Sequence, residues 1–184
     1  MSQAAFLKFF EKVNRLKEEK RKGWVTKANI KDCESVASHT FQLALMAMLF
    51  SRELGLDELK AIKISLIHDL PEALIGDHIP EEYQKGEKEI KEDKAFKRLF
   101  SLIPKRDEYE ELWKEYKEQK SKESRLVKQL DALEMALQGL SYYKRYKSRN
   151  LLELIDSASS KVKDRYLNKV LQLSKSKSIR HSNT

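Results

Sequence analysis

Apolar residues recur every three or four positions along residues 121–146, a spacing that places them on one face of an α-helix. That face consists of Val127, Leu130, Leu133, Leu137 and Leu140. Glycine and proline, which interrupt helices, number only five and three in the whole chain. We assign no β-strand to any part of the sequence. The sequence therefore predicts an all-α fold, a helical bundle in a single domain.

The same spacing predicts most of the remaining elements. Helices are predicted over residues 3–21, 34–54, 57–68, 87–101, 107–119, 151–156 and 162–173. Gly55 is expected to end the second of these helices, and Asp57 is expected to cap the third. Residues 21–33 are expected to form a loop. We expect the domain to span residues 1–175 and residues 176–184 to form a disordered basic tail.

Cysteine content and the lengths of the apolar runs exclude several classes of protein. Cys33 is the single cysteine, which excludes an internal disulfide and a CxxC zinc site. The opening residues lack the layout of a signal peptide, and the longest apolar stretch, residues 43–50, is too short to cross a bilayer. We expect a cytoplasmic protein without a membrane partner.

The net charge of +8 is unevenly distributed. Residues 1–30 and 141–184 carry +5 and +8, whereas residues 31–140 carry −5. A solvated surface rich in lysine and glutamate explains this pattern, and so does a basic rim that attracts phosphorylated substrates. We expect no nucleic-acid partner, because no nucleic-acid-binding motif accompanies the charge.

One segment, LIHDLPEALIGDHIP, carries an adjacent imidazole and carboxylate, His68 and Asp69, at the end of an apolar run. Burying a carboxylate there costs free energy unless a partner compensates its charge, and a divalent cation would do so. His39 and Asp131 lie in comparable apolar surroundings. Together the four residues form a mixed nitrogen and oxygen set that suits Mn, Co, Fe, Ni or Zn.

Each candidate ligand also has a purely structural explanation. A lone buried histidine such as His39 is more often a hydrogen-bonded core residue, and Asp131 could form a structural salt bridge. Four candidate ligands on three apolar helices favour the metal site over coincidence. His78 is expected to face solvent, and His181 receives no functional role.

Further candidates flank this set. Glu72 and Asp77 follow the His68–Asp69 pair, where a metal-dependent reaction needs groups that manage protons, although both could be ordinary surface carboxylates. Arg21 and Trp24 frame Gly23 in the predicted loop and could bind a phosphate and stack on a base, although a tryptophan is usually a core residue.

The order His39, His68–Asp69 and Asp131 resembles the H…HD…D signature of HD-domain phosphohydrolases. The segments RKGWV, ESVASHTFQLALMAM, LIHDLPEALIGDHIP and LWKEYKEQKSKESRLVKQLDALEMALQ resemble more closely the small HD-domain 5'-deoxynucleotidases. The resemblance covers roughly residues 5–175. The combination of HDxPExxxGDxxP with ESVxxH and KxxDxxE is far more specific than H…HD…D alone.

This resemblance implies an all-helical HD-domain fold, one divalent ion per subunit, such as Mn or Co, and usually a homodimer. It places the metal ligands at His39, His68, Asp69 and Asp131. It places the essential acids at Glu72 and Asp77, and the nucleotide pocket at Arg21 and Trp24. Two departures from the family pattern are Ser38, where many members carry an acid, and the separation of Arg21 from Trp24 by Lys22 and Gly23.

The expected function is hydrolysis of deoxynucleoside 5'-monophosphates to deoxynucleosides and phosphate. Glu72 is expected to orient or deprotonate the attacking water, and Asp77 to position the substrate or protonate the leaving 5'-oxygen. Trp24 could crowd the 2' position of the sugar. The alternatives are another HD-type phosphohydrolase, acting on cyclic nucleotides, triphosphates or guanosine tetraphosphate, or a non-enzymatic basic helical binding module.

Three tyrosines along one predicted helix also suggest a homodimer. Tyr142, Tyr143 and Tyr146 share a face that is expected to be exposed and available to a second copy. Burial of that face within the monomer is the alternative.

Overall fold

The computed structural model describes residues 2–180 of the chain, and within them the secondary structure is helical. No strand occurs in that range, where a single backbone bridge joins Lys20 and Ser35. The α-helices are α1 Gln3–Val13, α2 Lys22–Ala28, α3 Val36–Glu53, α4 Glu58–Ile67, α5 Glu72–Ile75, α6 Glu87–Phe100, α7 Asp107–Glu118, α8 Lys122–Tyr146, α9 Arg149–Ser159 and α10 Arg165–Arg180. The predicted all-α, single-domain fold is confirmed.

Helix α8 lies at the centre of the bundle and contacts α3, α4, α7, α9 and α10. Its predicted apolar face is the one that is buried, because Val127, Leu130 and Leu133 are inaccessible to solvent. These side chains pack with Leu43 of α3 and Ile64 of α4 in the main core. The helical spacing of the sequence therefore identified the element around which the core forms.

Local capping explains where α4 and α8 begin. The Asp57 carboxylate accepts a hydrogen bond from the Lys60 amide, as predicted for an N-cap. Gly55 has a φ of +66°, a left-handed conformation that favours glycine, in the turn between α3 and α4. Ser121 and Ser124 form a reciprocal capping box at the start of α8. Helices α3 and α8 carry His39 and Asp131, and His68 and Asp69 follow directly after the end of α4.

The N-terminal third differs from the prediction in two places. The first helix ends at Val13 and continues as a 3₁₀ turn over Asn14–Lys17. The segment 21–33, predicted as a loop, contains the seven-residue helix α2. A distant contact helps to hold α2, because the Asp77 carboxylate accepts a hydrogen bond from the Lys22 amide at its first turn.

Helices α8 and α9 approach each other closely at Gly139. A Cβ atom at this position would lie 2.7 Å from Ile155 Cγ1 and 3.2 Å from the indole of Trp24. Both distances are shorter than ordinary carbon–carbon contacts, so a larger residue here would displace its neighbours. Gly139 therefore allows α9 and the Trp24 ring to pack against the backbone of α8.

The C-terminal helices are longer than predicted. Helix α10 continues to Arg180, and Ser178 is buried, so residues 176–180 are helical rather than part of a disordered tail. The rest of the expected tail, including His181, lies outside the described residues. In the part of the chain that the structure describes, no helix has the length and hydrophobicity needed to cross a bilayer.

Candidate active site

A cavity of about 850 Å³ opens between α2, α6, α7, α8 and α9. It gathers side chains that are widely separated in the sequence. Seven of the eight predicted site residues line it, namely Arg21, Trp24, His68, Asp69, Glu72, Asp77 and Asp131. The eighth, His39, is fully buried beside its floor. The structure thus brings the predicted site residues together in one place.

Both histidines direct their Nε2 atoms towards the Asp69 carboxylate. His39 Nδ1 lies 2.6 Å from Glu134 Oε2, and His68 Nδ1 lies 2.7 Å from the Ser65 carbonyl oxygen. Because both partners accept hydrogen bonds, Nδ1 is the donor in each neutral ring and Nε2 carries the lone pair. Neither buried Nε2 atom makes a hydrogen bond. Such a pair of free lone pairs fits a bound metal ion.

Two carboxylates complete the donor set. Asp69 Oδ2 lies 3.0 Å from His68 Nε2 and 3.8 Å from His39 Nε2. Asp131 Oδ1 lies 3.4 Å from His39 Nε2. Two imidazole nitrogens and two carboxylate oxygens match the ligand preferences of a divalent transition metal. The residues present therefore fit one divalent ion.

The arginine of the site pairs with these carboxylates. Arg21 Nη1 donates to Asp69 Oδ2 at 3.1 Å, and Arg21 Nη2 lies 3.9 Å from Asp131 Oδ1. Burial raises the pKa of Asp69, but His68 and Arg21 outweigh burial and hold that pKa below its usual range. Burial likewise raises the pKa of Asp131, and the nearby His39 ring, with Nε2 at 3.4 Å, lowers it well below the usual value. Both carboxylates are therefore charged, as metal ligands must be.

The protonation of His39 depends on the same neighbours. Burial and Arg21 lower the pKa of His39, whereas Asp131 and Glu134 raise it to a net value of about 10. A divalent ion would compete with that proton for Nε2, because a histidine ligand must be neutral.

Glu72 and Asp77 occupy different environments. Glu72 is 6% exposed, and its buried Oε2 makes no hydrogen bond. Burial, with Asp69 and Asp77, raises the pKa of Glu72 well above its usual value. Asp77 accepts from the Lys22 amide and donates its own amide to Glu19 Oε1 at 3.1 Å. Glu72 therefore has a carboxylate oxygen free to act on a bound molecule, whereas Asp77 fixes the start of α2.

Trp24 is a core residue with one edge at the cavity. Its ring is 1% exposed and packs edge-on against Tyr142, and its Nε1 donates to Glu34 Oε1 at 2.9 Å. Helix α2 directs the ring into a second core cluster with Ile155, so Trp24 is a core residue, as tryptophans usually are. Trp24 still lines the cavity from that position.

Sequence reasoning missed the residue that orients His39. Glu134 follows Asp131 by one helical turn and is fully buried against His39, which compensates for the absence of an acid at position 38. Its only signal in the sequence was the KxxDxxE motif.

His78, expected to face solvent, is instead half-buried, with Nδ1 2.9 Å from the Gly76 carbonyl and its ring against Tyr83.

The chain matches the HD domain family over residues 13–173. It is 40% identical over 144 residues to the protein named 5'-deoxynucleotidase HDDC2 from Mus musculus, an alignment that covers 77% of this chain and 71% of that relative. The Homo sapiens protein of the same name is 37% identical over 161 residues, covering 85% of this chain and 78% of that relative.

Solved structures show the same fold. The PH0347 protein from Pyrococcus horikoshii OT3 superimposes with a TM-score of 0.80 at 30% identity, covering 91% of this chain and 97% of that chain. A conserved hypothetical protein from Pyrococcus furiosus gives a TM-score of 0.78 at 31% identity, covering 92% and 98%. With the histidine and aspartate geometry described above, these matches establish that the chain belongs to the HD-domain family.

Proposed function

We propose that the protein is a metal-dependent 5'-deoxynucleotidase that hydrolyses deoxynucleoside 5'-monophosphates to deoxynucleosides and phosphate. One observation carries this proposal: Glu72, with its unpartnered oxygen, lines the same cavity as His68 and the two aspartates, and His39 is buried beside them. The names of the relatives from Mus musculus and Homo sapiens support the same reaction. We expect the protein to act in the cytoplasm on free nucleotides, without a nucleic-acid or membrane partner.

His39, His68, Asp69 and Asp131 would hold one divalent ion per subunit, with Mn or Co as suitable candidates. Such an ion supplies Lewis acidity and positive charge at a phosphoryl oxygen. The surrounding carboxylates and Arg21 keep the donor atoms close together before any substrate arrives.

The remaining side chains would act on the substrate and water. Glu72 would accept the proton of the attacking water, because its Oε2 has no competing partner and a raised pKa suits a general base. Asp77 would act mainly by positioning, since it fixes the first turn of α2 and with it Arg21 and Trp24. The Lys22 amide contacts only Oδ2 of Asp77, so protonation of the leaving 5'-oxygen by this carboxyl group stays a prediction.

A substrate panel tests the reaction class. The purified protein, loaded separately with Mn and Co, is assayed with deoxy- and ribonucleoside monophosphates, cyclic nucleotides, triphosphates and guanosine tetraphosphate. Release of orthophosphate from deoxynucleoside monophosphates supports the proposal. Preferential release of pyrophosphate or triphosphate, or opening of cyclic nucleotides, would assign another HD-type activity. The absence of any hydrolysis, with no metal retained, would favour a binding module.

Variants of Trp24 test whether its ring discriminates between deoxyribose and ribose. Trp24→Ala is expected to destabilise the fold by about 3–5 kcal/mol, because the residue is a buried aromatic. Trp24→Phe keeps a ring but vacates the cavity edge, so we expect it to fold and to raise ribonucleotide hydrolysis relative to deoxyribonucleotide hydrolysis on the order of tenfold. The measurement is kcat/KM for both sugars of one base, together with a melting curve.

Trp113 provides the matched control for that experiment. It is also a buried tryptophan, but it stacks on Phe96 and does not line the cavity. Trp113→Phe should therefore change the melting temperature without changing the sugar ratio. A folded Trp24→Phe variant with the wild-type ratio would remove Trp24 from substrate discrimination.

We also propose a homodimer, but through a different face from the one expected. Tyr142 is buried within the monomer, where its hydroxyl accepts from the Glu34 amide, so it is unavailable to a partner. Phe41, Leu45 and Leu49 instead recur every four residues along α3 and are exposed, Phe41 to 72%. An exposed apolar stripe of this kind is typical of an interface between protein chains.

Disruption of that stripe should change the mass in solution. Light scattering of the wild type is expected to give about twice 21.6 kDa, and Leu45→Glu is expected to give about 21.6 kDa, because a charge in an apolar interface is costly. Leu173→Glu is the control, since Leu173 is a similarly exposed leucine, at 63%, on a different helix, α10. A wild-type mass near 21.6 kDa at every concentration would exclude the dimer.

A further inference from the structure

The part of the cavity that contains the predicted metal ligands, here called the floor, carries more negative than positive charge. Asp69, Asp131, Glu72 and Asp77 contribute four carboxylates, and Arg21 contributes the cation that pairs with two of them. A divalent ion would raise the positive total to three charges. These three positive charges would still face four carboxylates, so a doubly negative phosphate monoester would meet no excess of positive charge at the floor. Binding of such a ligand therefore requires a further cation on the cavity wall.

Lys88 lies in a position to supply that charge. It belongs to the first turn of α6 and lines the cavity, with its side chain 34% exposed. Burial lowers the pKa of Lys88, but Glu92, Glu72, Asp69 and Asp77 raise it overall, so the ammonium group stays charged. A lysine at a helix N-terminus opposes the helix dipole, so helix stability alone does not explain its presence there.

The pairing of Lys88 is loose. Its Nζ lies 3.5 Å from Glu92 Oε1, beyond ordinary hydrogen-bond length. The other oxygen of Glu92 is occupied by Lys117 Nζ at 2.5 Å. Glu92 therefore holds Lys117 tightly and leaves the Lys88 ammonium with donors that can turn towards a ligand.

Lys128 is the competing candidate that lies beside a predicted metal ligand. The same cavity is also lined by Lys27, Lys117, Arg125, Lys161 and Lys163. Lys128 Nζ donates to the Tyr116 hydroxyl at 3.2 Å and lies 3.9 Å from Asp131 Oδ2. Its side chain is 53% exposed, so solvent screens its charge more than that of Lys88. The geometry therefore favours Lys88 as the group that contacts a bound anion.

We propose that Lys88 is a phosphate-binding residue whose ammonium group donates hydrogen bonds to the phosphoryl oxygens of a phosphate monoester in this cavity. The identity of the ligand as a phosphate monoester rests on the proposed function, whereas the presence of an anion site does not. Lys88 touches no predicted metal ligand, so its loss should weaken anion binding and leave metal retention intact.

The test compares Lys88→Met, which removes the charge at similar length, with Lys88→Arg, which keeps it. Orthophosphate is titrated calorimetrically into the metal-loaded proteins, and steady-state kinetics are measured with a deoxynucleoside monophosphate. Lys88→Met is expected to raise the orthophosphate Kd and the KM at least about tenfold, the scale of one lost charged hydrogen bond. Lys88→Arg is expected to stay near the wild type, and metal content is expected to be equal in all three proteins.

Two further variants make the result specific. Lys91→Met removes a lysine from the same helix that pairs with Glu87 and does not line the cavity, so it should change neither constant. Lys128→Met removes the competing candidate. Equal orthophosphate affinity in Lys88→Met and the wild type would overturn the proposal, as would a loss of affinity that appears in Lys128→Met instead.

The calorimetric arm also separates this proposal from the proposed function. If the wild type fails to hydrolyse any deoxynucleoside monophosphate, the proposed function fails, and the orthophosphate comparison still decides the role of Lys88. If the wild type hydrolyses the nucleotide and Lys88→Met binds and turns over like the wild type, the role of Lys88 fails and the proposed function stands.

Discussion

Replacing Asp69 with alanine is expected to abolish both metal retention and phosphate release. Asp69 Oδ2 lies within 3.8 Å of both histidine Nε2 atoms and also pairs with Arg21. Its removal deletes one of the four proposed ligands and leaves the Arg21 guanidinium without its closest partner. Elemental analysis after dialysis, with a phosphate-release assay, provides the measurement.

The controls separate the loss of a ligand from a general loss of charge. His68→Ala should give the same result as Asp69→Ala, because it removes a neighbouring ligand of the same centre. Asp32→Ala removes an exposed aspartate in the segment before α3, so it should keep both metal and activity. A full complement of metal in Asp69→Ala would show that this carboxylate is not a ligand.

Replacing Glu72 should lower kcat without weakening the binding of the metal or of a deoxynucleotide. Glu72→Ala and the isosteric Glu72→Gln are expected to retain the metal and to bind a deoxynucleotide, while kcat falls by about 10²-fold or more, as for a lost general base. The fold should tolerate Glu72→Gln because the buried Oε2 makes no hydrogen bond that the amide would lose.

Glu89 offers a control for Glu72 on the wall of the same cavity. It is exposed rather than buried, and Glu89→Gln should leave kcat close to the wild-type value. Calorimetry with a deoxynucleotide and elemental analysis accompany the kinetics. Near-normal turnover in Glu72→Gln would assign proton transfer to another group.

The long helices, and the clustering of the four proposed metal ligands, could be predicted because each leaves a local signal. The spacing of Val127, Leu130 and Leu133 reports a buried helical face directly. His68 and Asp69 stand out because charged or polar groups in apolar surroundings need a partner. The structure adds the distances, but the sequence already contained the reasons for the helical fold and for the choice of ligands.

Features that depend on distant contacts could not be predicted in this way. Helix α2 is too short to be stable alone and receives a cap from Asp77, 55 residues away from Lys22. Tyr142 looked exposed because its partner, the Glu34 amide, is 108 residues distant. Glu134 resembled one more surface acid in a helix rich in lysine and glutamate, and only the fold places it against His39.

The close approach at Gly139 means that the position of the Trp24 ring at the edge of the cavity is set partly by the backbone of α8. The Trp24 ring rests against Gly139, while its nitrogen is held by Glu34, which lies beside Glu134 and His39. A single added methyl group on α8 would press on that ring and on α9 together. The packing of α8 against α9 therefore affects the Trp24 ring and, through Glu34 and Glu134, the orientation of His39, a proposed metal ligand. Gly139 does not line the cavity, yet it limits how far the side chains around Trp24 and His39 can change independently.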